Sequence, residues 1–450
     1  MSNTTSNIPF HLPNLPKPQD VYGIRPDNSN KASVRPELPP ELTRYFAHDF
    51  VDKPVPPENH TDIQPKPLES TQLTYIDTLD GLKVLRSKLC VVDEFGVDLE
   101  ANNYRSFQGI TCLMQISTRT EDFVVDTLKL HHSIRYYLGS VFLDPTKRKV
   151  MHGAGNDILW LQRDFGIYVC NLFDTMQASR VLKLDRNSLQ YLLIYFCGVL
   201  ANKQYQTSDW RIRPLPRDML HYAREDTHYL LYIYDKMRSR LVSGAGRRLY
   251  DFDDPLLEVY SRSHKICTVI YEKEVFNDES YKNIFGLDEV GLNPTQMNVV
   301  AKMYKWRDEL GRQKDESTGY VMPNKLLLEI CEKMPKSKSE LMSICDAHQR
   351  QNHPLIEKNI AQLMKIIGVS ELKSKVSDVQ HRQSGSEIEA EIQYQIKRPR
   401  GYFVTSAVYP QACYISAIHP PPVYCVPARR PLVMSPIYCT YPNYYKYQIC

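Results

Sequence analysis

Closely spaced cysteine pairs are absent from this sequence. Its eleven cysteines stand singly along 450 residues, as Cys90, Cys112, Cys170 and Cys197 show, and no C-x-x-C pair occurs. A disulfide framework is therefore not expected to be needed by the fold, and a reducing compartment is expected. No secretory leader is expected, and no stretch approaches about 18 uninterrupted apolar residues, which excludes a helical membrane span. Strong charge of one sign is also missing: the formal net charge is +4. That balance permits a polyanionic partner without requiring one, because local clustering matters more than the total.

What is present divides by composition. Residues 1–71 are rich in proline and polar side chains, as in "HLPNLPKPQD" and "DKPVPPENH", and read as an extended lead-in with little core. Residues 72–245 alternate short β-rich runs with amphipathic helices. Strands are expected near 94–100, 110–118, 122–128, 148–153 and 169–174, and Asp77 is expected to cap a helix. Three strands follow one another before helices intervene, so a mixed sheet is expected in an α/β domain. From Pro255 to Val369 the pattern reads as wholly helical, with 246–290 as a connector and 291–369 as a small bundle. That bundle opens with Asn293 as cap and Pro294 at the first helical position. The remainder, 370–450, is polar and then rich in Tyr, Pro and Cys, which predicts a disordered tail.

Within the α/β region, "FGVDLEANNYRSFQG" carries the chemistry. Alternation puts Val97 and Leu99 on one strand face and the carboxylates of Asp98 and Glu100 on the other, where they repel unless the face is wet or a cation neutralises them. "VMHGAGNDILWLQRDFG" places Asp157 at the start of a helix. In "PRDMLHYAREDTHYLLYIYDKMRSRL" a long helix sets Tyr222 and Asp226 on one face, one turn apart. Hard oxygen donors without a histidine or cysteine ligand suit magnesium. A pair of such ions about 3.5–4 Å apart is the arrangement that hydrolyses phosphodiesters.

These four acids, in the order D-x-E, D and Y-x-x-x-D, resemble the DEDD exonuclease superfamily, and specifically its RNase D-like branch with tyrosine in the last motif. "HGAGNDILWLQRDFGIYVCNLFDT", "KQYQTSDWRIRPLP" and "YAREDTHYLLYIYD" closely resemble the 3′ exonuclease subunits of the nuclear RNA exosome, and residues from about Leu292 to Ile367 resemble an HRDC domain. The resemblance implies an RNase H-like (DnaQ-like) exonuclease domain, then an all-α HRDC domain. It implies catalysis by Asp98, Glu100, Asp157, Tyr222 and Asp226, the four acids holding two divalent ions, Mg2+ or in its place Mn2+. It further implies single-stranded RNA 3′ ends and the exosome core as partners, and a nuclear, nucleolar location.

His221 also stands five residues before Asp226, the spacing of a sister branch whose base is histidine. A helix puts His221 about 140° from Asp226 around the axis and Tyr222 about 40° from it, which favours the tyrosine. For substrate contacts, Arg105, Phe107, Lys203, Tyr205, Trp210, Arg211 and Arg213 combine charge and rings as a single-strand groove does. By resemblance Trp160 and Lys203 face the terminal nucleotide, whereas Asn187 departs from the histidine frequent in relatives. The HRDC-like bundle is expected to dock on the catalytic domain. Relatives usually begin with a cofactor-binding domain and carry a long basic tail; neither is expected here, and "IKRPRG" around Lys397–Arg400 is a weak candidate import signal. A DNA exonuclease and a non-catalytic RNA adaptor are the competing readings. Loss of an acid would mark the adaptor, and none is lost.

Overall fold

Alternating apolar residues in short runs build one six-stranded sheet: β1 (Gln72–Ile76), β2 (Glu94–Asn102), β3 (Ile110–Ser117), β4 (Glu121–Asp126), β5 (Arg148–Met151) and β6 (Leu172–Asp174). A computed structural model describes residues 15–32, 64–244, 254–347 and 354–368. The spatial order is β1-β4-β3-β2-β5-β6. Strand β3 runs antiparallel to β2 and β4, whereas β1–β4, β2–β5 and β5–β6 are parallel, so the sheet is mixed as expected. Strand β1 was not among the expected strands. It is an edge strand, largely half-exposed, and so lacks the apolar run that betrays a central one.

Helix α1 (Pro18–Tyr22) lies in the lead-in; α2 (Leu79–Val91), α3 (Thr127–Leu143), α4 (Gly155–Phe165) and α5 (Thr175–Val181) follow the strands. One face of β2, with Phe95, Val97 and Leu99, packs on α2, α3 and α4 through Leu82, Leu85, Leu89, Ile134, Leu138 and Leu161. The cap of α2 is Thr78, whose hydroxyl accepts from the Gly81 N–H at 3.2 Å, and not Asp77, which pairs with Lys129 at 2.7 Å instead. Threonine takes the role because it stands immediately before the first helical residue, where its oxygen reaches the N–H three residues on.

After α6 (Leu189–Leu192) and a π-helical turn over Leu193–Cys197, the long helix expected at the end of the domain proves to be two, α7 (Arg217–His228) and α8 (Leu230–Gly244). Tyr229, with φ −94° and ψ −5°, separates them. Helix α9 (Pro255–Cys267) returns to the sheet. Residues 269–277 then have no regular structure, which corrects the wholly helical reading of this region. Their backbone is held instead by the Gln162 amide, which donates to the Val269 carbonyl and accepts from the Tyr271 N–H.

The bundle comprises α10 (Pro294–Lys314), α11 (Thr318–Val321), α12 (Asn324–Lys333), α13 (Lys338–Ala347), α14 (Pro354–Lys358) and α15 (Ile360–Ile367). Asn293 caps α10 in a reciprocal capping box with Gln296. Val300, Met303, Trp306, Leu326, Leu327 and Leu341 form its core. The lead-in contributes more than expected, since Ile24 is buried beside Ile110 and Leu113. The tail and the Lys397–Arg400 patch lie outside the described residues.

Candidate active site

Strand β2 sets Asp98 and Glu100 on the face opposite its apolar contacts, both half-buried. Helix α7 crosses that face and brings Asp226 down to them. A carboxylate oxygen from each of Asp98, Glu100 and Asp226 lies within 4.8 Å of the other two. Asp157, in the first turn of α4, stands beside this trio: the Leu99 N–H donates to the carboxylates of both Asp98 and Asp157. Burial raises the Asp98 carboxyl to about 7. Burial, reinforced by the charge of neighbouring carboxylates, holds Glu100, Asp157 and Asp226 well above the usual range. Such a concentration of negative charge fits a cation of charge two or more and is costly without one.

Tyr222 is 8% exposed and its hydroxyl is hydrogen-bonded to Asp226. Burial and the nearby carboxylates push its phenol far above the ordinary value, so it stays neutral. The His221 side chain is 57% exposed and faces Glu225 at 3.9 Å. Of the two helix candidates, the geometry brings only the tyrosine to the acids.

Other residues of "YAREDTH" tie α7 to the sheet. Asp122 on β4 accepts from Arg224 Nε at 2.6 Å, His228 Nδ1 at 2.9 Å and Ser117 Oγ at 2.8 Å. Ser117 and Thr227 hydroxyls are 2.8 Å apart, and Arg224 Nη2 donates to the Thr71 carbonyl. Asp226 therefore sits between anchored residues on both sides. The loop before α4 is fixed by buried Asp174, whose carboxylate accepts from the backbone N–H groups of Gly153, Ala154, Met176 and Gln177. Sequence reading singled out neither aspartate, because each looks like a strand end or a helix cap until its distant partners are known.

The expected substrate contacts separate. Trp160 is half-buried and packs partly on the sheet core, while Lys203 is exposed in a 3-10 turn. The ring of Tyr205, in that turn, lies 6.1 Å from the Tyr222 ring. Asn187 accepts from Ser179 Oγ at 2.7 Å. Arg105 is not available to a ligand: it is 6% exposed, makes a bidentate pair with Glu316 and stacks 4.1 Å from the Tyr320 ring. Phe107 is likewise engaged, its ring under Arg312 and against Gly311. Arg211 pairs with Asp209, Arg213 with Asp126, and Trp210 is core. Charge and rings in these segments suit a groove, but the "YRSFQG" residues bind the helical bundle and the "SDWRIRP" residues brace the sheet.

An acidic cluster on a mixed sheet, followed by a helical bundle, defines the class as a 3′-5′ exonuclease of the DEDD type. A 3′-5′ exonuclease family profile matches residues 73–242, and an HRDC domain profile matches 296–373. The catalytic core of RRP6 from Trypanosoma brucei superposes with a TM-score of 0.66 at 34% identity, covering 79% of this chain and 98% of that one. The chain belongs to the RRP6 family. It is 51% identical over 377 residues to Protein RRP6-like 2 of Arabidopsis thaliana, covering 81% of this chain and 42% of that protein. It is 42% identical over 390 residues to Exosome complex component 10 of Rattus norvegicus, covering 80% and 43%. The chain thus spans about half the length of the curated relatives it matches.

Proposed function

We propose that this chain is a 3′-5′ exoribonuclease that removes nucleoside 5′-monophosphates one at a time from single-stranded RNA 3′ ends, in the nucleus and nucleolus, together with an RNA exosome core. The observation that carries the reading is the convergence of Asp98, Glu100 and Asp226 within 4.8 Å, beside a tyrosine bonded to one of them. The donor set is all carboxylate, which fits Mg2+, with Mn2+ able to substitute. Asp98 would be shared between two ions, Glu100 and Asp226 would complete one, and Asp157 would support the other. Bound there, the ions supply Lewis acidity to the attacking water and to the departing 3′ oxygen.

The chain's own groups do the positioning. Tyr222, held by Asp226 and kept neutral, orients the attacking water by hydrogen bonding. The new bond forms from water oxygen to phosphorus, the bond from phosphorus to the 3′ oxygen breaks, and the shortened RNA keeps a 3′ hydroxyl. Trp160 and Lys203 flank the terminal nucleotide, one as an apolar surface for the base and the other as a positive charge for the backbone.

The test is single-turnover decay of 5′-labelled single-stranded RNA with saturating Mg2+. A ladder shortening one nucleotide at a time is expected, with mononucleotides bearing a 5′ phosphate. Asp98→Asn should slow it about a thousandfold or more. Tyr222→Phe should lower the rate constant about a hundredfold with RNA affinity nearly unchanged, and His221→Ala should stay within about twofold. Mid-chain cuts as the main products, or a larger loss for His221→Ala than for Tyr222→Phe, would overturn the assignment. Equal decay of the same sequence as DNA would move it to a DNA exonuclease.

A further inference from the structure

Gln115, at the centre of the sheet, is 0% exposed, and among the described residues neither its side-chain nitrogen nor its side-chain oxygen has a hydrogen-bond partner. A buried amide with both atoms unpaired is costly, so native folds rarely keep one without a use. Its place in the sheet indicates the use. On β3 it stands directly opposite Asp98 of β2, and on its other side opposite Val124 of β4. Residues directly opposite on antiparallel strands point to the same face, with Cβ atoms about 4.5–5.5 Å apart. That face is the one α7 covers: Leu113 and Val124 pack there with Met219, Tyr222 and Ala223, and Ser117, two residues along, meets Thr227. The unpaired amide therefore lies on the same covered face as Asp98, beneath the helix that carries Tyr222 and Asp226.

We infer that Gln115 is a positioning residue of the nuclease site, whose amide N–H holds the Asp98 carboxylate, directly or through one ordered water, in the orientation that receives the cations. Carboxylate ligands are commonly oriented by such a donor, and removing it typically weakens metal binding about 10- to 100-fold. The inference rests on the metal-dependent reading above.

The test is Mn2+ binding to the purified chain, measured by calorimetry, alongside the melting temperature of the metal-free protein. Gln115→Met keeps the side-chain length and removes the amide. The expected result is Mn2+ affinity weakened about tenfold or more, with the metal-free melting temperature unchanged or higher because an unpaired buried group has gone. A purely structural glutamine would do the reverse, lowering the melting temperature and leaving affinity within about twofold, and that result overturns the inference. Should the methionine variant not fold, Gln115→Asn decides: its amide is withdrawn by one methylene, so it should show the same loss, and wild-type affinity would refute the role. Asp98→Asn is the control for the underlying reading. If it too leaves Mn2+ binding intact, the metal site itself is misplaced; if it alone abolishes binding, only the role of Gln115 falls.

Discussion

Each acid of the cluster is held where its charged form is disfavoured, and the consequence at the scale of single residues is a stability that depends on pH and on metal. An unfolded carboxylate titrates near 4. In the folded, metal-free chain Asp98 is raised to about 7 and its three neighbours are raised as well. The folded state therefore binds more protons, so its stability is fully present below about pH 4 and declines as pH rises through the folded values. Asp98→Asn removes one of the repelling charges. The metal-free variant should melt several degrees above the wild type at pH 8, about 1–3 kcal/mol, with the difference vanishing near pH 4. Saturating Mg2+ should reverse the order, since it stabilises only the chain that binds it. Calorimetric melts of both proteins from about pH 4 to 8, with and without chelator, check this. A metal-free variant less stable than wild type at pH 8 would show that the cluster carries no strain.

At the scale of elements, the site depends on how closely two of them approach. Gly96 lies on the same face of β2 as Asp98, under the junction of α7 and α8. A Cβ built on it would stand 3.1 Å from the Thr227 carbonyl oxygen and 3.3 Å from the Leu230 Cβ. A side chain there would oblige the helix to give by a few tenths of an ångström, and Asp226 and Tyr222 ride on that helix. Gly96→Val should push α7 outward, cost about 1–3 kcal/mol of overpacking and slow RNA decay at least tenfold, because a displacement of about 1 Å is enough to spoil catalytic alignment. The comparison of RNA decay rate with far-ultraviolet circular dichroism checks it: a folded variant with wild-type rate would mean that the close approach is incidental. The same junction explains why one expected helix became two. Hydrophobic periodicity continues through Tyr229, but Asp122, Thr71 and Ser117 fasten the end of α7 to the sheet before α8 departs.

At the scale of the whole molecule, the loop after β2 is where the bundle meets the catalytic half. Glu316, just past α10, takes both Arg105 and Lys17, while Asp315 accepts from Ser106 Oγ and the Phe107 N–H. Lys17 Nζ also donates to the carbonyls of Arg105 and Asp315, so the lead-in straps the bundle onto the loop that begins three residues after Glu100. Glu316→Ala would leave buried Arg105 and half-buried Lys17 without their carboxylate. A loss of about 3–5 kcal/mol is expected, read from denaturant unfolding. A loss below about 1 kcal/mol would show that this contact does not hold the halves together.

Local chemistry decided much of this in advance. Alternation at Val97–Glu100 put two carboxylates on one strand face and helical spacing aligned Tyr222 with Asp226, because these rest on repeats of two and 3.6 residues that neighbours alone impose, and Asn293 with Pro294 opened α10 through a local capping oxygen and a fixed φ. What periodicity could not decide was which partner a side chain takes from far along the chain. Arg105 and Phe107 have the chemistry of an RNA groove, yet residues more than 200 positions away claim them. Gln115 reads as one polar residue in an apolar strand until β2 is laid beside it. Asp122 and Asp174 show no role until α7 and the loop before α4 come to rest on them. A charged or amide group has the same local preferences whether it meets solvent, ligand or another side chain, and only folding fixes which of these it meets.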